Sequence, residues 1–280
     1  MEDFSQLFNN DNQSMLYHSR PEYSREIVEE IILFWQIYNK NRQIKGKLNI
    51  IDVGCGTGQL TKELISYSKS LIGVDSSESQ IKEAKYLENN VMKFIVASCY
   101  NLPALDSSID IITAAQCVHW FDLDKFYAEV DRSLKVGGVL VISVYKKGHF
   151  IIDLEYDQLA KINKLIQYDI WNDDKYFGSF INDRLKFAAT GYAGIPYLYP
   201  ITGVRNEKLN IKMSFTLKRY KNYLCSSSVY QRWRKCNLNE IDIADIIIKE
   251  ILCLMGNPTT ELDTEVEFHL PLCLIMCSKV

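Results

Sequence analysis

The chain has 280 residues, and 35 aspartates and glutamates slightly outweigh 32 lysines and arginines, for a formal net charge of −3. With 47 % hydrophobic and 24 % charged residues it has the balance of a soluble globular protein, and its mild acidity argues against binding a nucleic-acid backbone by bulk charge. No stretch reaches the roughly 18–20 apolar residues that span a bilayer, since the best candidate, 241–255, carries Asp242, Asp245, Lys249 and Glu250.

The start, Met1-Glu2-Asp3-Phe4, is acidic and lacks the basic segment and apolar run of a secretory signal. Residues 22–38 then predict a helix with Ile27, Ile31, Trp35 and Tyr38 along one side. From 48 to 145, runs rich in Ile and Val (48–53, 71–74, 93–96, 109–115 and 139–144) read as buried parallel strands. Helices are expected between them. Residues 59–66 place Leu60 and Leu64 on one face. Residues 77–90 open with Ser77 and Gln80 as a capping box. Asp122 caps a helix with Phe126, Val130 and Leu134 inside, ending at Gly137-Gly138. This β-α-β-α order implies a doubly wound parallel sheet. Beyond it, 151–187 look helical, Gly and Pro interrupt 191–203 among tyrosines, a helix over 239–255 stops at Gly256-Asn257-Pro258, and 266–276 reads as a closing strand.

The eight cysteines form no Cys-x-x-Cys pair and have only four histidines to supplement them. They read as reduced, buried thiols. No metal and a cytoplasmic location are the expectations.

The informative segment is Asp52-Val53-Gly54-Cys55-Gly56-Thr57-Gly58, between a strand and a helix. Alternate glycines let the chain turn sharply and let a ligand touch the backbone. In an open α/β sheet such a loop lies at the carboxyl edge, where ligands bind. Asp75, ending the second strand, can accept both hydroxyls of a ribose, so the pair describes a site for an adenosine-containing cofactor. A nicotinamide fingerprint would place its third glycine at 59, which is Gln, and no Gly-Lys-Ser/Thr follows for a Walker loop. Asp52 suits a ligand with an amino group.

This D-x-G-x-G-x-G pattern followed by Asp75 resembles the class I methyltransferases that use S-adenosylmethionine. Asn101-Leu102-Pro103, Ala114 to Phe121, Leu134 to Gly138 and, upstream, Tyr17, Arg20-Pro21 and Tyr23 narrow the likeness to the trans-aconitate methyltransferase-like small-molecule group. The resemblance covers residues 15–145. It implies a Rossmann-like α/β sheet of seven strands, six parallel and one antiparallel, with the last two near 195–203 and 266–276. An N-terminal helical lid and a helical insertion complete the expected fold. The expectation is a single domain, with 1–46 as the lid, 47–145 as the cofactor-binding half, and 146–280 as the acceptor-binding insertion and last strands.

By the same resemblance, Asp52 and the loop Gly54, Cys55, Gly56, Thr57 and Gly58 lie along the methionine part, with Tyr17 closing over it. Asp75 holds the ribose, Ser76 and Gln80 flank the adenosine, Ser98 and Cys99 approach the adenine, and Gln116 lies beneath the sulfonium. Ser98 stands where many relatives have an Asp.

Tyr17, Arg20, His119 and Trp120 are the candidate catalytic residues. His119 can bond an acceptor oxygen or cap a helix, Trp120 can exclude water or fill the core, and Arg20 can pair with an acceptor carboxylate or with Glu22 or Asp11. The tyrosines of 192–199, with Trp171 and Phe177, line an acceptor pocket or belong to the core. Basic clusters at 218–221 and 232–235 read as solvated helix faces rather than a nucleic-acid surface. The expected activity is carboxyl O-methylation of a small organic acid, with S-adenosylhomocysteine as the product of the cofactor. Alternatives are O-, N- or C-methylation of another metabolite, or non-catalytic binding of the cofactor. The oligomeric state stays open, a monomer included.

Overall fold

Five Ile- and Val-rich runs pair in parallel as their alternation with helices requires. The computed structural model describes residues 11–40, 47–256 and 263–280. The expectations for residues 1–10 and for Asn257-Pro258 lie outside these. In chain order the elements are α1 (Asp11–Leu16), α2 (Arg25–Tyr38), β1 (Leu48–Val53), β2 (Ser68–Asp75), α3 (Glu78–Ala84), β3 (Met92–Val96), β4 (Ile109–Ala115), α4 (Leu123–Ser133) and β5 (Leu134–Tyr145). They continue as β6 (His149–Ile151), α5 (Tyr156–Lys164), α6 (Ile170–Asn172), α7 (Asp183–Ala189), β7 (Val204–Thr216), α8 (Leu217–Cys225), α9 (Ser228–Cys236), α10 (Ile243–Leu254) and β8 (Glu265–Ser278).

The sheet runs β3-β2-β1-β4-β5-β8, with β7 on the far edge of β8. The first five strands are parallel and β8 is antiparallel to both β5 and β7. β5 through Tyr145 and then β6 pair successive lengths of β8, so the short β6 continues the β5 row rather than widening the sheet. Seven rows result, six running one way and one the other, as expected.

Alternation along the strands divides the core. Ile50, Leu71, Ile111 and Val141 face the layer with α2, α8 and α10, while Ile51, Val53, Ile112 and Ile142 face the layer with α4. Helix α2 buries Ile27, Ile31 and Trp35 there, as the periodicity predicts. Asp122 accepts from the backbone of Lys125 at 3.3 Å, and the Ser77 hydroxyl from that of Gln80 at 3.2 Å. The capping box stays half-made, because the Gln80 amide takes no partner. Tyr220 and Trp233 from the two basic clusters are buried, and Lys221 pairs with Asp245.

Two expectations are corrected. Gly137-Gly138 does not cap α4, which ends at Ser133 and passes straight into β5. The register slips between Ile109↔Leu134 and Ile111↔Val139, and Gly137, at φ +79, makes the bulge possible. The sixth row lies at 204–216 rather than 195–203. Pro196 and Pro200 cannot donate to a ladder, and 200–202 form a 3-10 turn instead.

Candidate active site

The loop after β1 is tied to the end of β2. Asp75 accepts from the backbone N–H of Gly56 at 3.0 Å through one oxygen and from Ser77 at 2.9 Å through the other. Burial raises its carboxyl on balance, against the pull of the backbone N–H groups of Ser77, Gly56 and Ser76. The carboxylate, with about four acceptor sites, keeps capacity for a ligand hydroxyl. Gly54 and Gly56 adopt φ +65 and +55. A Cβ at Gly54 would lie 2.7 Å from the Cβ and Sγ of Cys117, whereas one at Gly56 would make ordinary contacts with Gln80 at 3.6 Å and the Tyr17 ring at 3.7 Å.

Asp52 lies beneath the loop, 1 % exposed, accepting from the hydroxyls of Thr61 at 2.6 Å and Thr113 at 2.7 Å. Burial pushes its carboxyl up to about 6 against the pull of these two bonds. A cavity of about 820 Å³ opens above, at the carboxyl ends of β1, β2, β4 and β5. That is the upper range of ligand pockets. It is lined by Tyr17, Arg20, Asp52, Gly54, Cys55, Gly56, Asp75, Ser76, Gln80, Ser98, Cys99, Gln116, His119 and Trp120, so the structure brings nearly all the expected residues together.

Thr57 and Gly58 are the exceptions. Thr57 is buried and accepts from the Gln59 amide, and Gly58, at φ +90, backs onto Phe94 and Leu87, where a Cβ would come within 2.9 Å of the Phe94 ring. They shape the loop from behind. Of the tyrosines and aromatics expected at the pocket, Trp171 lines it, while Phe177 is core, Tyr199 bonds Asp131 and Tyr197 packs on Gly203.

The lid is docked. Ser14 donates to Ser79 on α3, Gln13 donates to the Ser226 carbonyl, and Gln59 holds the Tyr17 carbonyl at 2.9 Å. Tyr17 thus packs near Gly56, with burial pushing its hydroxyl up to about 12. Arg20 follows it into the cavity. The guanidinium donates to the Tyr145 hydroxyl at 2.9 Å and the Ser226 carbonyl at 3.2 Å, and lies over the rings of Tyr17 and Tyr223. Its Nε is buried without a partner, and it pairs with no carboxylate among the described residues, neither Glu22 nor any other. The possible pairing with Asp11 lies with side chains outside the described set.

His119, in a 3-10 turn after β4, is buried with Nδ1 2.8 Å from the Tyr192 hydroxyl. Burial, with the charges of Arg184 and Arg20, lowers its pKa to about 3, so the ring is neutral at physiological pH. Trp120 packs beside it, ring centroids 4.8 Å apart.

The residues fit the expected cofactor. Besides the spare acceptor capacity of Asp75, the cavity holds the unpartnered amide of Gln80 and the unpartnered Nε2 of Gln116, whose φ is +58. Buried amides left unsatisfied are costly and signal a ligand that completes them. Ser98 accepts from the Tyr100 backbone at 3.2 Å and keeps its own proton to donate. Cys55, Cys99 and Cys117 are free thiols whose pKa burial pushes up, so they pack as apolar groups.

Asp52 and Asp75 line the cavity at the ends of β1 and β2. The lining from residues 145–229 includes Lys146, Lys147, Arg184 and Lys186, of which Lys146 pairs with Glu207 and Lys186 with Asp183. Sequence reasoning missed Tyr145, Tyr223, Lys147 and Arg184, which carry no local motif.

Residues 51–142 match the family described as a methyltransferase domain. Over 260 residues, 83 % of this chain and 84 % of the relative, the chain is 26 % identical to a Saccharomyces cerevisiae protein named as an S-adenosylmethionine-dependent methyltransferase. It is 30 % identical over 136 residues to the ubiquinone biosynthesis O-methyltransferase of Pelagibacter ubique, covering 47 % of this chain and 56 % of that protein. Among solved structures, one named as a type II methyltransferase from Anaeromyxobacter dehalogenans superposes with a TM-score of 0.69 at 21 % identity, over 93 % of this chain and 98 % of the other, which shows the shared fold.

Proposed function

From a chain that is a class I S-adenosylmethionine-dependent methyltransferase, we propose an enzyme that transfers the methyl group to a carboxylate of a small organic acid. The observation that carries the acid is Arg20, a cation inside the cavity with only neutral partners and an unsatisfied Nε. An unpaired buried charge costs several kcal/mol, roughly, and an anionic ligand relieves it. Lys147, which lines the same cavity over the Trp171 ring, adds positive charge there, whereas Lys146 and Lys186 are paired with Glu207 and Asp183. The relative named for ubiquinone biosynthesis supports a small molecule and oxygen as the accepting atom.

When bound, S-adenosylmethionine supplies an electrophilic methyl group on a sulfonium. The chain's own work is to hold and to exclude. Asp75 and Gln80 would hold the adenosine, Asp52 would face the amino group and Gln116 the methyl-bearing end. Arg20 would hold the acid, and Trp120 and Phe121, which line the cavity, would keep water from it, since transfer needs donor and acceptor within about 3–3.5 Å. His119 is a poor base at this pKa with Nδ1 engaged. A carboxylate, ionised above about pH 4, needs none.

Arg20→Ala is expected to raise the acceptor KM about 10- to 100-fold, the loss of one charge-assisted contact, with the affinity for S-adenosylhomocysteine nearly intact. A second reading places Arg20 on the cofactor's own carboxylate, because the guanidinium lies 5.0 Å from the Tyr17 ring that borders Gly56. In that case calorimetry on the variant shows the affinity loss in the cofactor instead. The product decides the chemistry. With methyl-labelled S-adenosylmethionine and a panel of organic acids, amines and phenols, a carboxyl ester releases labelled methanol in mild alkali. An alkali-stable product from the true acceptor sinks the ester.

The pH dependence of cofactor binding tests Asp52. Its carboxyl, raised to about 6, must be ionised to face an ammonium group, so affinity is flat above pH 6 and falls by up to about tenfold per unit below it. Affinity independent of pH from 5 to 8 would remove Asp52 from the amino-group contact.

A further inference from the structure

The helix α7 and the turn that follows it grip the segment after β4 at two points. Arg184 donates to the main-chain carbonyl of His119 at 2.9 Å, and Tyr192 meets the imidazole itself. Tyr192 reaches that place at a conformational cost. It is a fully buried non-glycine residue at φ +58, directly after Gly191 at φ +72. Such backbone persists only where the surroundings over-determine it, and it concentrates at functional positions. Arg205 on β7 supplies that constraint by donating to the Gly191 carbonyl at 2.7 Å and the Tyr192 carbonyl at 3.5 Å. Phe187 packs against the Tyr192 ring with centroids 5.2 Å apart and planes tilted by 40°, and the Tyr192 N–H bonds the Phe187 carbonyl.

The direction of the hydrogen bond follows from satisfaction. Burial raises the Tyr192 hydroxyl well above its ordinary value, so it keeps its proton, and a buried O–H must donate. Its oxygen faces the backbone N–H groups of His119 and Val118, which leaves the Nδ1 of His119 as the acceptor for that proton. A neutral imidazole that accepts at Nδ1 carries its hydrogen at Nε2. His119 lines the cavity, and no protein partner occupies its Nε2 among the described residues.

We propose that Tyr192 is a positioning residue that holds His119 as the Nε2–H tautomer, so that the imidazole donates a hydrogen bond to an oxygen of the methyl acceptor. This rests on the reading of the cavity as a site for an oxygen acid. It makes His119 an orienting donor and removes it as a proton acceptor. It also gives the mid-chain insertion a direct part in the site, since α7 and its turn hold both the backbone and the ring of this residue. A bystander tyrosine would need neither the left-handed backbone nor the clamp from Arg205.

The test reads the ring directly. In protein labelled with ¹⁵N-histidine and saturated with S-adenosylhomocysteine, the His119 signals, assigned by their loss in His119→Gln, are expected to show one tautomer at pH 7, with the hydrogen on Nε2. In Tyr192→Phe, which keeps the ring and its packing, both tautomers should appear. With the acceptor found in the labelling panel, kcat should fall about tenfold or more while the S-adenosylhomocysteine affinity stays within about twofold. The wild-type tautomer is read without Tyr192→Phe, so poor folding of that variant does not block the test. An Nδ1–H tautomer in the wild type overturns the proposal, and so does a variant with unchanged tautomer and unchanged kcat. The spectroscopic result holds whether the transferred methyl proves alkali-labile or not, which separates this inference from the carboxylate reading.

Discussion

Asp75→Ala is expected to weaken S-adenosylhomocysteine binding by at least about a hundredfold while the protein stays folded. Two charge-assisted bonds to ribose hydroxyls, at about 1.5–3 kcal/mol each, correspond to a loss of roughly a hundredfold to ten-thousandfold. The same carboxylate anchors the glycine loop through Gly56 N–H and the start of α3 through Ser77 N–H. The substitution therefore also frees the loop that must lie against the cofactor, which adds to the loss. The fold itself rests elsewhere, on the apolar layers on both faces of the sheet. Calorimetric titration beside a thermal melt separates the two effects. Affinity within threefold of wild type in a folded variant would take the ribose away from Asp75.

Gly56→Val should abolish measurable binding. At φ +55 a β-branched residue is a genuine outlier, and its strain is of order 1–3 kcal/mol. The larger effect is occlusion. The new Cβ would already sit in contact with the Gln80 side-chain oxygen at 3.6 Å and the Tyr17 ring at 3.7 Å, so the two further methyl groups of valine are expected to crowd the cavity these residues line. Gly56→Ala distinguishes strain from occlusion, because its single methyl makes ordinary contacts; it should retain binding weakened by about tenfold. Saturable binding by Gly56→Val near wild-type affinity would reduce the loop to a turn.

Local patterning was enough for the first half of the molecule. The strands β1 and β4 match their apolar runs residue for residue, and α2 buries the side that its periodicity marks, because both signals are carried by neighbours in sequence. The glycine loop and Asp75 were readable for the same reason, since a turn with positive φ needs glycine within a few residues of a strand. Gly137-Gly138 misled because glycine after a helix usually caps it; only the pairing of Leu134 with Ile109 turns the two into a bulge. β7 stayed hidden because it is an edge strand, with Leu209, Ile211 and Met213 buried on one face and the polar Asn210 and Lys212 between them.

The acceptor side was decided by tertiary structure alone. Arg20 meets Tyr145 across 125 residues and the Ser226 carbonyl across 206, and His119 meets Tyr192 across 73. None of these pairings leaves a trace in spacing or periodicity. Sequence placed a cation and a histidine near the cofactor. Whether Arg20 would find a carboxylate of its own, and which ring nitrogen of His119 would be engaged, depended on how the helices after β5 fold back over the sheet and bury both groups together.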